Sequence, residues 1–216
     1  MAEWSDTQDK LTLKLVFYGP ALSGKTTNLM RLHDLIASDK RGDMMVLDTQ
    51  NDRTLFFDLL PLGFRSASGL LIKLKIYTVP GQVQHDSTRK AVLSRCDGIV
   101  FVADSQRTQA TNNGLSFESL AANLQKLGSS VETTPVVVQF NKRDLPEIFS
   151  EQELNERWRN SPWLPLQFAC AMNGSGVAET FAALLRKVYD HLDDEVQWQT
   201  HHRLSADAFV AGLLST

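Results

Sequence analysis

One octapeptide narrows the choice of fold more than anything else in this chain. Residues 19–26 read GPALSGKT, which fits the pattern G-x-x-x-x-G-K-[ST]. Before it, residues 11–18 (LTLKLVFY) alternate and then turn wholly apolar, as a strand does on entering a buried sheet. After it, Leu29, Leu32 and Ile36 recur at helical spacing, so a helix is expected over 24–36. A glycine-bearing turn between a buried strand and a helix points successive backbone N–H groups into one concave space, with the positive end of the helix behind them. That arrangement suits phosphate. Gly19, Leu22, Ser23, Gly24 and Thr27 would line the cradle. Lys25 can reach the β- and γ-phosphates, and the Thr26 hydroxyl can bind Mg²⁺.

Strand and helix signals alternate through the rest of the chain. Short apolar runs at 98–103 and 135–140 read as central parallel strands, and 70–79 as a strand with Lys73 and Lys75 on its polar face. Further strands are expected at 43–48, 54–60 and 164–169, with Gly42, Pro61, Gly63 and Gly69 as punctuation. Helices are expected at 87–95, at 115–127 and over 177–192, where Val177, Phe181, Leu185, Val188 and Leu192 share a face. Ser150-Glu151-Gln152-Glu153 is a capping box opening one more. A last short helix is expected at 205–214. No repeat or linker interrupts the pattern. The expectation is an α/β fold: a mainly parallel central sheet with helices on both faces, in one domain of 216 residues. Its ordered core would run over about 11–192, followed by a short extension at 193–216.

Composition excludes several classes. With 43% hydrophobic and 22% charged residues the chain is globular rather than disordered. A net charge of −3 carries no basic excess for nucleic acid or an anionic membrane, though a local patch stays open. Two cysteines, Cys96 and Cys170, are too few for a disulfide framework and suit a reducing cytoplasm. Residues 1–6 lack a basic and apolar leader, and the apolar run at 99–103 is far too short to span a bilayer. Neither an N-terminal glycine nor a C-terminal prenylation cysteine offers a lipid anchor.

A phosphate cradle alone does not choose a base. Asn141-Lys142-Arg143-Asp144 follows an apolar strand, at the end where open α/β sheets bind ligands. A carboxylate at Asp144 can accept from guanine N1–H and from its 2-amino group. Adenine offers neither donor and would leave the carboxylate unpaired, a difference of several kcal/mol (~3 or more) once the site is closed. Asn141 can bond the base edge and brace the cradle, and the Lys142 stem can lie on the ring. Cys170-Ala171-Met172 follows the last strand, and the Ala171 N–H is a candidate donor to guanine O6.

These segments occur in the order of a Ras-like small GTPase, with Thr78-Val79-Pro80-Gly81-Gln82 between the cradle and N-K-R-D. More specifically the chain resembles the MglA branch, the bacterial polarity and gliding-motility GTPases, in residues 18–28, 52–60, 77–82, 97–106 and 138–146. The resemblance covers about 11–192. It implies a switch that binds GTP and GDP with Mg²⁺ and hydrolyses GTP slowly alone. Its mobile loops would lie at about 38–60 and 78–95. Thr54 would bind Mg²⁺ and the γ-phosphate, and Gly81 N–H the γ-phosphate. Arg53 would supply a guanidinium from the chain itself, and Gln82 would orient the attacking water. Where most small GTPases carry an Mg²⁺-orienting aspartate this chain has Thr78. A threonine can reach the ion through a water but adds no charge; Asp58 or Asp52 are the candidates to replace it. The implied partners are an MglB-like roadblock-domain dimer as activator and downstream motility effectors, with recruitment to a cell pole. A GTP-binding scaffold that does not hydrolyse stays open beside this reading.

Overall fold

The computed structural model of the protein describes residues 2–4, 9–47, 57–80 and 86–214. Within them a sheet runs β3-β4-β5-β2-β6-β7-β8. The strands are β2 (Lys10–Tyr18), β3 (Met45–Leu47), β4 (Phe57–Arg65), β5 (Leu71–Thr78), β6 (Gly98–Asp104), β7 (Val136–Asn141) and β8 (Gln167–Phe168). β5, β2, β6, β7 and β8 are parallel, while β3 and β4 run antiparallel at one edge. A two-residue strand, β1 (Glu3–Trp4), adds antiparallel to the start of β2. The helices are α1 (Lys25–Leu35), α2 (Asp86–Leu93), α3 (Ala110–Lys126), α4 (Glu151–Trp158), α5 (Val177–Val196), α6 (Trp198–His202) and α7 (Ala206–Leu214).

Alternation along the strands divides the core in two. Leu11, Leu13, Leu15 and Phe17 of β2 join Ile72, Leu74 and Ile76 of β5 beneath α1 and α5. Val16, Tyr18, Ile99, Phe101, Val138 and Phe140 face the other way, beneath α2, α3 and α4. Every residue of β6 is buried, because helices cover both of its faces. This is the parallel α/β sandwich that the alternating sequence pattern predicts. No helix among the described residues is long and apolar enough to cross a membrane.

Several boundaries differ from expectation. The strand expected at 54–60 is described from Phe57 and continues to Arg65, straight through Pro61 and Gly63. Pro61 is tolerated for a reason local to the edge. Its carbonyl accepts from Gly42 N–H (2.9 Å), on the side away from β5. N–H and C=O of one strand residue point the same way, so the missing N–H removes no bond to β5. α3 starts at Ala110 rather than 115, led in by a 3₁₀ turn at Arg107–Gln109. The strand expected at 164–169 shrinks to Gln167–Phe168. The capping box forms as read: Ser150 Oγ accepts from Glu153 N–H while the Glu153 carboxylate accepts from Ser150 N–H.

The C-terminal extension folds back onto this frame. α5 runs on to Val196, and Gln197 in a left-handed conformation turns the chain into α6, which the sequence reading did not anticipate. Trp198 is fully buried. Its ring stacks on Tyr189 at 5.4 Å and meets Phe209 of α7 at 5.2 Å, and its Nε1–H donates to Tyr189 O (2.9 Å). Phe209 in turn packs edge-on against Phe64 of β4. Trp198→Ala should therefore lower unfolding free energy by about 3–5 kcal/mol, the range for truncating a buried tryptophan. Urea unfolding of the two proteins measures it. A loss below about 1 kcal/mol would mean the extension adds little to the fold.

Candidate functional site

Residues 19–24 form a tight turn between β2 and α1, and Lys25 and Thr26 open the helix. Leu22 adopts a left-handed backbone (φ 62°) with its side chain 88% exposed, and Gly24 (φ 97°) caps α1. Two glycines here are demanded by space. A Cβ on Gly19 would lie 2.2 Å from Val102 O, and one on Gly24 would lie 2.3 Å from Asn141 Nδ2. Lys25 is buried, its Nζ donating to Gly19 O (3.1 Å) and Pro20 O (2.7 Å), so the ammonium is folded over the turn itself. Burial pushes Lys25 down to about 8; nearby Asp58 opposes the shift. Anionic phosphates beside it would favour the charged form.

Asn141 ends β7 and is 2% exposed. Its Nδ2 donates to Ser23 O (2.8 Å) in the turn, and its Oδ1 accepts from Ala171 N–H (2.9 Å). Asn141 thus ties the turn to residue 171. The N–H of Ala171, expected to face a base, is engaged by Asn141 in this conformation. Leu22, Gly24, Thr27, Asn141, Lys142, Asp144, Leu145, Ala171 and Met172 together line a cavity of about 260 Å³. Asp144 is exposed at its rim, and Met172 is 65% exposed. Cys170 is buried; its N–H and C=O are held within the 170–175 turn.

Two partners of this cavity were not singled out from sequence. Asp104 ends β6 directly beside Asn141, 5% exposed, and accepts from Lys142 Nζ at 2.6 Å. An acid closing the apolar run 98–103 was the available signal. Arg31 of α1 donates to Ala171 O (3.3 Å) and Met172 O (2.6 Å). No local pattern could have paired residues 140 apart in sequence.

The opposite end of the turn meets a carboxylate. Asp58 of β4 is 8% exposed and stands across from Thr78, the last residue of β5. Thr78 Oγ1 donates to Asp58 Oδ2 (2.9 Å) and accepts from Asp58 N–H (2.9 Å). Thr26 Oγ1 donates to the same carboxylate oxygen at 2.6 Å. Of the two candidates to stand in for the missing aspartate, Asp58 is brought to Thr26 and Thr78, and Asp52 lies outside the described residues. One carboxylate and a hydroxyl make a hard oxygen set of the kind that suits Mg²⁺, which binds through one or two carboxylates and keeps several waters. The residues present fit that ion. Arg53, Thr54, Gly81 and Gln82 lie outside the described residues, as do Leu55 and Phe56; Leu59 and Leu60 are buried and Phe57 is partly so.

Comparison with known proteins agrees with this geometry. Residues 4–188 match the ADP-ribosylation factor (Arf) family. The chain is also 41% identical over 183 residues to the mutual gliding-motility protein MglA of Myxococcus xanthus (strain DK1622), an alignment spanning 85% of this chain and 93% of that protein. The family match takes in the phosphate-type turn, the N-K-R-D strand end and Cys170-Ala171-Met172, and stops inside α5. Strand order, the turn with its brace and the matched span converge: the chain belongs to the Arf family of Ras-like small GTPases, proteins that bind guanine nucleotide and hydrolyse GTP.

Proposed function

We propose that the chain is a GTP/GDP switch for cell polarity and gliding or surface motility, turned off by an activator that stimulates its hydrolysis. The observation that carries the nucleotide reading is the single cavity shared by the 19–26 turn, Asn141 to Asp144 and Ala171-Met172. Kinship to a gliding-motility protein supports the cellular role.

In this reading the 19–26 turn and Lys25 take the phosphates, with Gly19, Leu22, Ser23, Gly24 and Thr27 around them. Asp144 accepts from the guanine edge, while Asn141 holds turn and base loop together. Lys142, tied to Asp104, keeps its stem along the base side of the cavity. Mg²⁺, when bound, would add positive charge against the phosphate oxygens. Thr26 would hold it together with Asp58, which supplies the negative charge that Thr78 lacks; Thr78 would fix Asp58 in place. Thr54 and the Gly81 N–H would close on the γ-phosphate. Arg53 would neutralise charge that grows on the transferring phosphoryl oxygens, and Gln82 would orient the attacking water. Because the chain brings its own arginine, an MglB-like roadblock-domain dimer need only fix Arg53 and Gln82, docking beside residues 54–62.

Three expected outcomes follow for this site. Asp144→Asn should weaken GTP binding and admit xanthosine triphosphate, since xanthine carries oxygen where guanine carries the 2-amino group. Competitive binding assays measure both, and ATP competing equally with GTP in the parent protein would remove the guanine assignment. Asp58→Asn should raise the Mg²⁺ concentration needed to retain nucleotide by about 10–100-fold, read from GDP release at graded Mg²⁺; an unchanged curve would leave Asp58 out of the ion site. Arg53→Ala and Gln82→Leu should each slow activator-stimulated hydrolysis about 10²-fold or more with little change in nucleotide exchange. Single-turnover phosphate release tests this with a partner whose interface arginines are all replaced. If a partner arginine proves essential and Arg53 dispensable, the arginine comes from outside.

A further inference from the structure

Behind the cavity, one buried amide joins the three elements that carry its loops. Gln139 lies in β7, two residues before Asn141 and therefore on the same strand face, and it is fully buried. Its Nε2 donates to Asn28 Oδ1 of α1 (2.9 Å) and to Thr180 Oγ1 of α5 (2.9 Å). Each partner then reaches the cap of its own helix. Asn28 Nδ2 donates to Gly24 O (2.9 Å), and Thr180 Oγ1 donates to Gly176 O (2.6 Å). Because Asn28 turns its Nδ2 to Gly24 O, its Oδ1 is the atom that faces Gln139, and Thr180 has given its one hydroxyl proton to Gly176 O, so both present lone pairs to Gln139. The amide nitrogen, not the oxygen, must face them.

This arrangement is unfavourable as mere core. Among the described residues Gln139 Oε1 has no hydrogen-bond partner although it is buried, and an unsatisfied buried carbonyl is costly. An apolar core built from all three positions would fill the same space with no unsatisfied carbonyl. What the amide provides is a fixed distance between α1 and α5, measured from the strand that carries Asn141. Asn141 repeats the same tie one layer nearer the cavity, from Ser23 to Ala171.

We propose that Gln139 is a positioning residue for guanine recognition: through Asn28 and Thr180 it holds the phosphate-binding turn and the base loop in register with Asn141 and Asp144. The inference rests on the guanine reading above. Gln139→Met keeps the volume and removes both donor bonds. The probes are GDP and IDP, whose hypoxanthine lacks the 2-amino group that Asp144 would accept from. The parent should prefer GDP to IDP. In Gln139→Met the GDP:IDP affinity ratio should fall about tenfold, as expected when one hydrogen bond to a charged group is misaligned, and GDP release should quicken about tenfold. Thr180→Val breaks one arm alone and should give a smaller shift in the same direction. It also keeps the test in force if Gln139→Met does not fold. In the double variant the two shifts should be less than additive. A role in packing alone would lower the thermal midpoint of both variants and leave the GDP:IDP ratio at the parent value; that result overturns the proposal. A parent that binds ADP as well as GDP overturns the guanine reading, and this inference with it.

Discussion

The site depends on one primary amide. Asn141 takes the carbonyl of Ser23 and the N–H of Ala171, joining segments 118 residues before it and 30 after it. Gly24 belongs to the same constraint: a side chain there would collide with Asn141 Nδ2. The second glycine of the motif is thus required by the brace as much as by phosphate. Gln139, Asn28 and Thr180 repeat the connection one layer deeper, and Arg31 ties α1 to the base loop from outside. Two parallel strands and two helix starts are held as a unit, with the concave space between them.

At the far end of the turn, the carboxylate that meets Thr26 stands on β4, beside Thr78. Thr78 ends β5 where most small GTPases have aspartate, and Asp58 sits opposite on antiparallel β4. Cross-strand partners stand closer than successive residues on one face, so the carboxylate remains within reach of Thr26. Its position depends on the β4–β5 register, because a slip of one residue would turn Asp58 to the other face. α7 packs on the distal part of β4 through Phe64 and Phe209, and α6 anchors α7 through Trp198. The C-terminal extension therefore supports the strand that carries Asp58.

Much of the fold was legible because its signals are local. The apolar runs of β2, β6 and β7, the helical spacing in α1 and α5, and the capping box of α4 each follow from backbone periodicity and capping chemistry over a few residues. β4 was harder. Pro61 and Gly63 read as breaks, and only the side on which Pro61 faces Gly42 rather than β5 shows why a proline can sit there. α6 is too short to carry a periodic signal, and Trp198 gains its place from Tyr189 and Phe209 rather than from its neighbours in sequence.

The sequence by itself determined the family, the phosphate-type turn and the residues that would select a base, since each is a short string whose chemistry is written in consecutive side chains. Tertiary structure decided that Asp58 meets Thr26, where the Ala171 N–H is directed, and that Gln139 and Arg31 tie together the elements around the cavity. These are pairings between residues 30 to 140 positions apart. Hydrogen-bond direction and burial between such partners exist only after the sheet has set its strand order and register, and neither is encoded in the spacing of any one segment.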